Sequence, residues 1–198
     1  MIKTNKRRMS TKTLVLAAIM TALVIILQFM GTFVRFGPFQ CSLVLMPIVV
    51  GAALCGPTIS AWLGFVFGMV VLLNGDAAAF LTVNAIGTVI TVLAKGILCG
   101  LCAGLVYNLL KNKNVYLAVL CAAIVCPVVN TGVFLIGCLL FFFETIKEWG
   151  LAAGFGTAVE YMFLGLAGAN FLFELITNIV LCPAIIRILN LGKKILKK

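Results

Sequence analysis

The sequence predicts an all-α integral membrane protein, a bundle of six transmembrane helices with both termini on the cytoplasmic side. Three observations carry that expectation. Of 198 residues, 64% are hydrophobic and 10% charged, at a mean hydropathy of +1.25, whereas a soluble domain is about 45–50% apolar with ~25% charged residues. The apolar runs are far longer than the strands of a membrane barrel, so the spans are helices that satisfy their own backbone polar groups. The basic residues, finally, collect on one side of the predicted membrane.

The first span covers about 12–30 and follows the basic start MIKTNKRRMSTK. That start resembles a signal peptide, but no A-x-A-like cleavage site follows and the apolar stretch reaches spanning length, so a retained helix is expected. The second, about 41–55, carries Pro47 and ends at Cys55-Gly56-Pro57. The third, about 58–74, ends at the turn signal Asn74-Gly75-Asp76. The fourth is 84–110, and Lys111-Asn112-Lys113-Asn114 links it tightly to the fifth, 115–143. A longer segment, Glu144–Glu160, precedes the sixth, 161–190. Residues 1–198 are thus expected to form a single membrane domain.

With both ends inside, Lys3, Lys6, Arg7, Arg8, Lys12, Lys111, Lys113, Arg187, Lys193, Lys194, Lys197 and Lys198 are cytoplasmic. Only Arg35 and Lys147 fall outside, together with the acids Asp76, Glu144, Glu148 and Glu160. The net charge of +10 therefore reads as a topology and lipid-headgroup signal rather than a nucleic-acid surface. The absence of histidine removes the usual base of zinc-protease, Ser-His and Cys-His chemistry. Eight cysteines lie in or beside apolar runs, where a thiol behaves as a small hydrophobe. Cys99-x-x-Cys102 falls inside a predicted span, so no metal site and no cofactor is expected. No phosphate-binding loop is present, so ATP hydrolysis would need partner subunits.

The fourth span carries the informative pattern. Asn84, Thr88, Thr91 and Lys95 recur at i, i+4, i+7 and i+11, one helix face. Lys95 lies roughly 16 Å below Asn84, about half of the ~30 Å hydrocarbon core. Below it, Gly96, Gly100 and Gly104 form a strip where another helix can approach closely. A charge at mid-membrane costs at least ~2.5–3.5 kcal/mol on insertion scales, so Lys95 needs a partner or a polar cavity. Glu174 in the sixth span and Asn130 in the fifth reach a similar depth, and Asn170, Glu174 and Asn178 align at i, i+4 and i+8. A Lys95–Glu174 ion pair tying two helices together is the plainer reading. Thr88 and Thr91 are candidate ligand contacts, although threonines often bond their own helix. Pro127 precedes Asn130-Thr131-Gly132, where a kink would free carbonyls. Trp149, Tyr161 and Phe141–Phe143 are either ring-stacking groups or an interfacial belt.

In the first span Ala18 and Ala22, beside Ala17, form a small-x-x-x-small patch. This pair, the segment SLVLMPIVVGAALCGPTISAWLGFVFG and the stretch CPVVNTGVFLIG resemble the substrate-binding S component of energy-coupling factor (ECF) vitamin importers, especially riboflavin- and folate-type members. The resemblance covers essentially the whole chain. It implies that Ala18 and Ala22 meet a transmembrane coupling subunit driven by two ATPase subunits. It also implies a ligand site between helices four to six, beneath the outer loops, with Asn84, Thr88, Lys95, Asn130, Asn170 and Glu174 as candidate contacts; Thr91 shares their stripe. The expected function is capture of a water-soluble vitamin or related micronutrient at the outer face of a bacterial plasma membrane. The outer loops 31–40, 75–83 and 144–160 would close over it, with Gly75, Gly150, Gly154 and Gly156 making them deformable. The rivals are an autonomous secondary transporter coupling ions through Lys95 and Glu174, and a lipid-directed membrane enzyme using Glu144, Glu148 or Glu160.

Overall fold

In the computed structural model the chain is described over residues 10–33, 35, 36, 39, 40 and 43–197, and its side chains over 10–31 and 43–191. The described residues are helical almost throughout. Helix α1, Thr11–Phe33, buries Ala17, Met20, Val24 and Gln28 at helical spacing, while Leu14, Val15, Ile19, Ile26 and Met30 on the other face stay exposed. An apolar outer face is what lipid requires and water does not tolerate. A two-residue antiparallel pair follows, β1 Arg35–Phe36 against β2 Phe39–Gln40. The side chain of Arg35, assigned above to the outer surface, lies outside the described residues.

Helix α2, Leu45–Cys55, has 11 residues and so measures roughly 16 Å, half of a bilayer core. It is buried nearly all round, wrapped by α1, by α3 (Pro57–Leu73), by α5 (Ala85–Leu110), by α6 (Val115–Phe141) and by α10 (Cys182–Lys197). Gly56, at φ 91°, makes the turn that an L side chain resists. Pro57 then opens α3, at a position where its missing N–H leaves no bond unmade. The Ser60 hydroxyl donates to the Ile48 carbonyl at 3.0 Å and ties α3 to α2. At the other end of α3, the Asn74 carboxamide oxygen accepts from the Asp76 amide at 3.1 Å and shapes the turn around Gly75.

The small residues of α5 do what their spacing predicts. A Cβ on Gly96 would run into the Gly64 carbonyl, one on Gly100 into the Ser60 carbonyl, and one on Gly104 would come 2.8 Å from Pro57 Cβ. The backbones of α3 and α5 therefore touch along this strip, the most extensive helix contact in the molecule. Lys111 and Lys113 follow α5, and Asn114 caps α6 by accepting from Tyr116 and Leu117 amides at 2.9 and 3.3 Å. Helix α6 runs on through Pro127. Because Gln28 of α1 bonds Asp76 and Pro57 meets Gly104, Lys12, Lys111 and Lys113 sit at the end of the bundle away from Asp76.

Two expected boundaries change. The segments taken as loops at 75–83 and 144–160 contain α4 (Ala78–Val83) and α7 (Phe143–Ala152), because each has apolar residues to bury: Phe80 meets three rings, and Ile146 is fully buried. The expected helix 161–190 is two helices. Ala158–Val180 is one continuous rod, made of α8 (Ala158–Glu160), a π-helical section Tyr161–Gly168, and α9 (Ala169–Val180). It stops at Leu181, and α10 restarts with Pro183 in its first turn. Among the described residues four helices are long and apolar enough to cross a membrane: Thr11–Gly31, Ala85–Leu110, Val115–Phe141 and Ala158–Val180. The apolar helices Leu45–Cys55, Pro57–Leu73 and Cys182–Leu191 are shorter.

Candidate functional site

Among the described residues two apolar clusters make up the interior. The larger joins α1, α2, α3, α5, α6 and α10; the smaller, of Cys138, Phe142, Ile146, Ala158 and Met162, sits under α7. Between them, at the Asp76 end, lies a cavity of about 310 Å³ lined by side chains from α1, α3, α4, α5, α6, the π-helical section and α9. Its size is that of a small-molecule pocket, for which about 300–1,000 Å³ is usual.

Lys95 reaches the cavity from the middle of α5. Its ammonium lies 5.6 Å from the ring centre of Phe67 and 5.4 Å from that of Phe134. Each such contact contributes about 0.5–2 kcal/mol, comparable together with the lower estimates of the cost of a charge at this depth. Among the described residues Lys95 makes no hydrogen bond and no ion pair. The Lys95–Glu174 tie, the plainer reading of these two residues, is thus not formed. The two charges face one cavity from different helices, the ammonium held against rings and the carboxylate held by an amide. Glu174 is 8% exposed, and its Oε2 accepts from Asn130 Nδ2 at 3.4 Å. Asn130 Oδ1 and Thr91 Oγ1, both buried, have no hydrogen-bond partner. An unsatisfied buried acceptor costs about 1–3 kcal/mol, and here two border the same cavity.

Of the seven residues expected to meet a ligand, Thr88, Thr91, Lys95, Asn130, Asn170 and Glu174 line the cavity. Asn84 is not among the lining residues. Its carboxamide oxygen accepts from the Gly87 amide at 2.9 Å, so it is the N-cap of α5. Thr88 lines the wall but donates its hydroxyl to the Asn84 carbonyl at 2.8 Å, satisfying its own helix. Asn178, on the Glu174 face, lies deeper and donates to the Glu174 carbonyl at 3.0 Å.

The aromatic wall was only partly foreseen. Phe80 stands at its centre, edge-to-face with Phe134, Phe142 and Trp149 at ring separations of 5.7, 5.1 and 5.4 Å. Phe142 and Tyr161 line the cavity; Phe141 and Phe143 point outward, as belt residues do. Gln28 and Asp76 complete the rim, the glutamine donating to Asp76 Oδ2 at 2.7 Å and Asn74 donating to the same oxygen at 2.6 Å. A glutamine inside an apolar run was the sequence signal for the first. Nothing in the sequence marks Phe67 or Phe80, because helix rotation decides which way they face.

Outside the cavity, Glu144, Glu148 and Glu160 are exposed and do not line it. Cys99 donates its thiol to the Gly96 carbonyl at 3.1 Å, and the described cysteines are free. On α1, Ala18 and Ala22 are exposed, turned away from the buried Ala17, Met20 and Val24.

A family model described as ECF transporter, substrate-specific component matches residues 12–186. No curated protein matches the chain.

Proposed function

The chain belongs to the family of ECF transporter substrate-specific components, and from that premise we propose that the cavity beneath α4 and α7 is its substrate site. The observation that carries the reading is the Lys95 ammonium, without ion pair or hydrogen bond in a cavity that also holds buried Glu174 and two unpartnered buried oxygens. Charge and polar groups at this depth are costly unless something completes them, and a polar small molecule does. Thr91, Lys95, Asn130, Asn170 and Glu174 contact it; Thr88 shapes the wall.

In this reading the bundle crosses a bacterial plasma membrane six times. The counted crossings are α1, α2, α3, α5, α6 and the rod Ala158–Val180 continued by α10. The basic end, with Lys12, Lys111 and Lys113, faces the cytoplasm, and the cavity faces outward. A water-soluble vitamin or related micronutrient enters there. The exposed Ala18–Ala22 patch of α1 docks a transmembrane coupling subunit, whose two ATPase subunits supply the energy.

The test is mass spectrometry of small molecules released from gently purified chain, followed by uptake in vesicles. One released micronutrient, with uptake only after the coupling subunit and ATPases are added, is expected. Ala18→Trp should leave binding within about twofold and abolish ATP-driven uptake. Uptake by the chain alone that collapses with the proton gradient would replace this reading with a secondary transporter, and turnover of lipid with an enzyme.

A further inference from the structure

Resting on the reading of the cavity as the substrate site, we propose that its ligand is a neutral, flat heterocycle carrying a ring carbonyl beside a ring N–H, with the carbonyl on Lys95 and the N–H on Glu174.

The hydrogen-bonding inventory of the cavity sets the edge. Lys95 offers three N–H donors, none of them used within the described protein. Glu174 and Asn130 present acceptors: the carboxylate takes one bond, from Asn130, on Oε2, and Asn130 Oδ1 takes none. The ligand must therefore bring an acceptor to one side and at least one donor, better two, to the other. A lactam edge does this within three bonded atoms, and an amino group next to its N–H would reach the second acceptor. The Thr91 hydroxyl can serve either partner.

The charge balance argues for neutrality. A plain anion would satisfy Lys95 but confront Glu174 and Asn130 Oδ1 with another acceptor, with Asp76 also on the lining. A plain cation would satisfy Glu174 and meet the ammonium. Like charges facing each other in a low-dielectric site are repelled more strongly than in water. Opposite charges that share a cavity without pairing are matched by a molecule with no net charge and a polarised edge.

Ring faces set the shape. Phe67 and Phe134 bracket Lys95, and Phe80, Phe142 and Tyr161 continue the aromatic lining. A flat ring stacks or packs edge-on against such surfaces, whereas a flexible polar chain would leave them bare. The cavity of about 310 Å³ has room for a bicyclic or tricyclic ring system.

The discriminating probes are hypoxanthine and adenine, which share a ring system and differ in this edge, together with benzoate as a flat anion. Binding is measured by calorimetry and thermal shift on the detergent-purified full chain after dialysis. Hypoxanthine should bind at least tenfold more tightly than adenine and than benzoate, and both Lys95→Met and the isosteric Glu174→Gln should erase that preference. The wild-type comparison needs no variant to fold. Equal binding of hypoxanthine and adenine, no binding of either at millimolar concentration, or benzoate binding that strengthens in Glu174→Gln would each overturn the inference. The importer reading fails separately: it falls when the wild-type chain releases no small molecule of any charge.

Discussion

Above Lys95, α5 turns Thr88, Thr91 and the ammonium itself toward a cavity; below it, Gly96 and Gly100 turn bare backbone toward the carbonyls of α3. One helix thus holds two regions built on opposite terms. In the upper half α3 and α6 still approach α5 closely, at Gly68 and Gly137, but on the face turned to the cavity side-chain chemistry is left incomplete: among the described residues Thr91 Oγ1 has no hydrogen-bond partner and Lys95 has only ring faces. In the lower half nothing is left over, and even a methyl group has no room. The comparison teaches that the floor of the cavity is fixed where α3 and α5 meet backbone to backbone.

That contrast can be broken from either side. The largest effect belongs to the closed half. Gly96→Val puts a branched three-carbon side chain where its Cβ alone already runs into the Gly64 carbonyl, and the α3–α5 contact must separate. The expected loss is about 3 kcal/mol or more, the upper end for overpacking, read as a collapse of monodisperse yield and a lower melting temperature in detergent. A variant that melts like the wild type would mean the helices are not clamped there.

Next comes the open half. Lys95→Met keeps most of the volume and the apolar stem but removes the donor, so the fold should persist while affinity for the released ligand falls about 100-fold, or ~2.7 kcal/mol. Calorimetry on both proteins decides it; unchanged affinity would move the site away from α5. The smallest effect sharpens the boundary between the two roles. Asn84→Ala removes a helix cap and should cost about 1 kcal/mol of stability while leaving affinity within about twofold. Thermal melts with and without ligand separate the two, and a large affinity loss would return Asn84 to the site.

The sequence disclosed depth better than direction. Residue counts at ~1.5 Å each put Lys95, Asn130 and Glu174 at one level, and all three line one cavity. Counting cannot say which side chains touch, so an ion pair between Lys95 and Glu174 stood beside the ligand-site reading; instead Lys95 lies against two phenyl rings and Glu174 takes a bond from a carboxamide. Asn84 sits both on the polar stripe and immediately before a helix; the stripe was visible as a pattern, and the cap depends on a backbone turn. The interruption at Leu181 had its sign in Pro183, hidden by the unbroken hydrophobicity on either side. Helix α7 was obscured by Glu144, Lys147 and Glu148 on its exposed face, with only Ile146 and Gly150 buried on the other. The Gly96–Gly100–Gly104 strip was the most legible feature, because close backbone approach leaves no alternative to glycine at those positions.

The π-helical section Tyr161–Gly168 has a further consequence. Its turns hold more residues than α-turns, and such insertions gather where proteins work. Tyr161, Gly165 and Leu166 belong to it and Glu174 does not, so one rod lends the chamber two walls joined by wide turns. The angle around the rod between the Tyr161 ring and the Glu174 carboxylate is therefore set by those wide turns, and an α-helical register over the same residues would point the ring elsewhere.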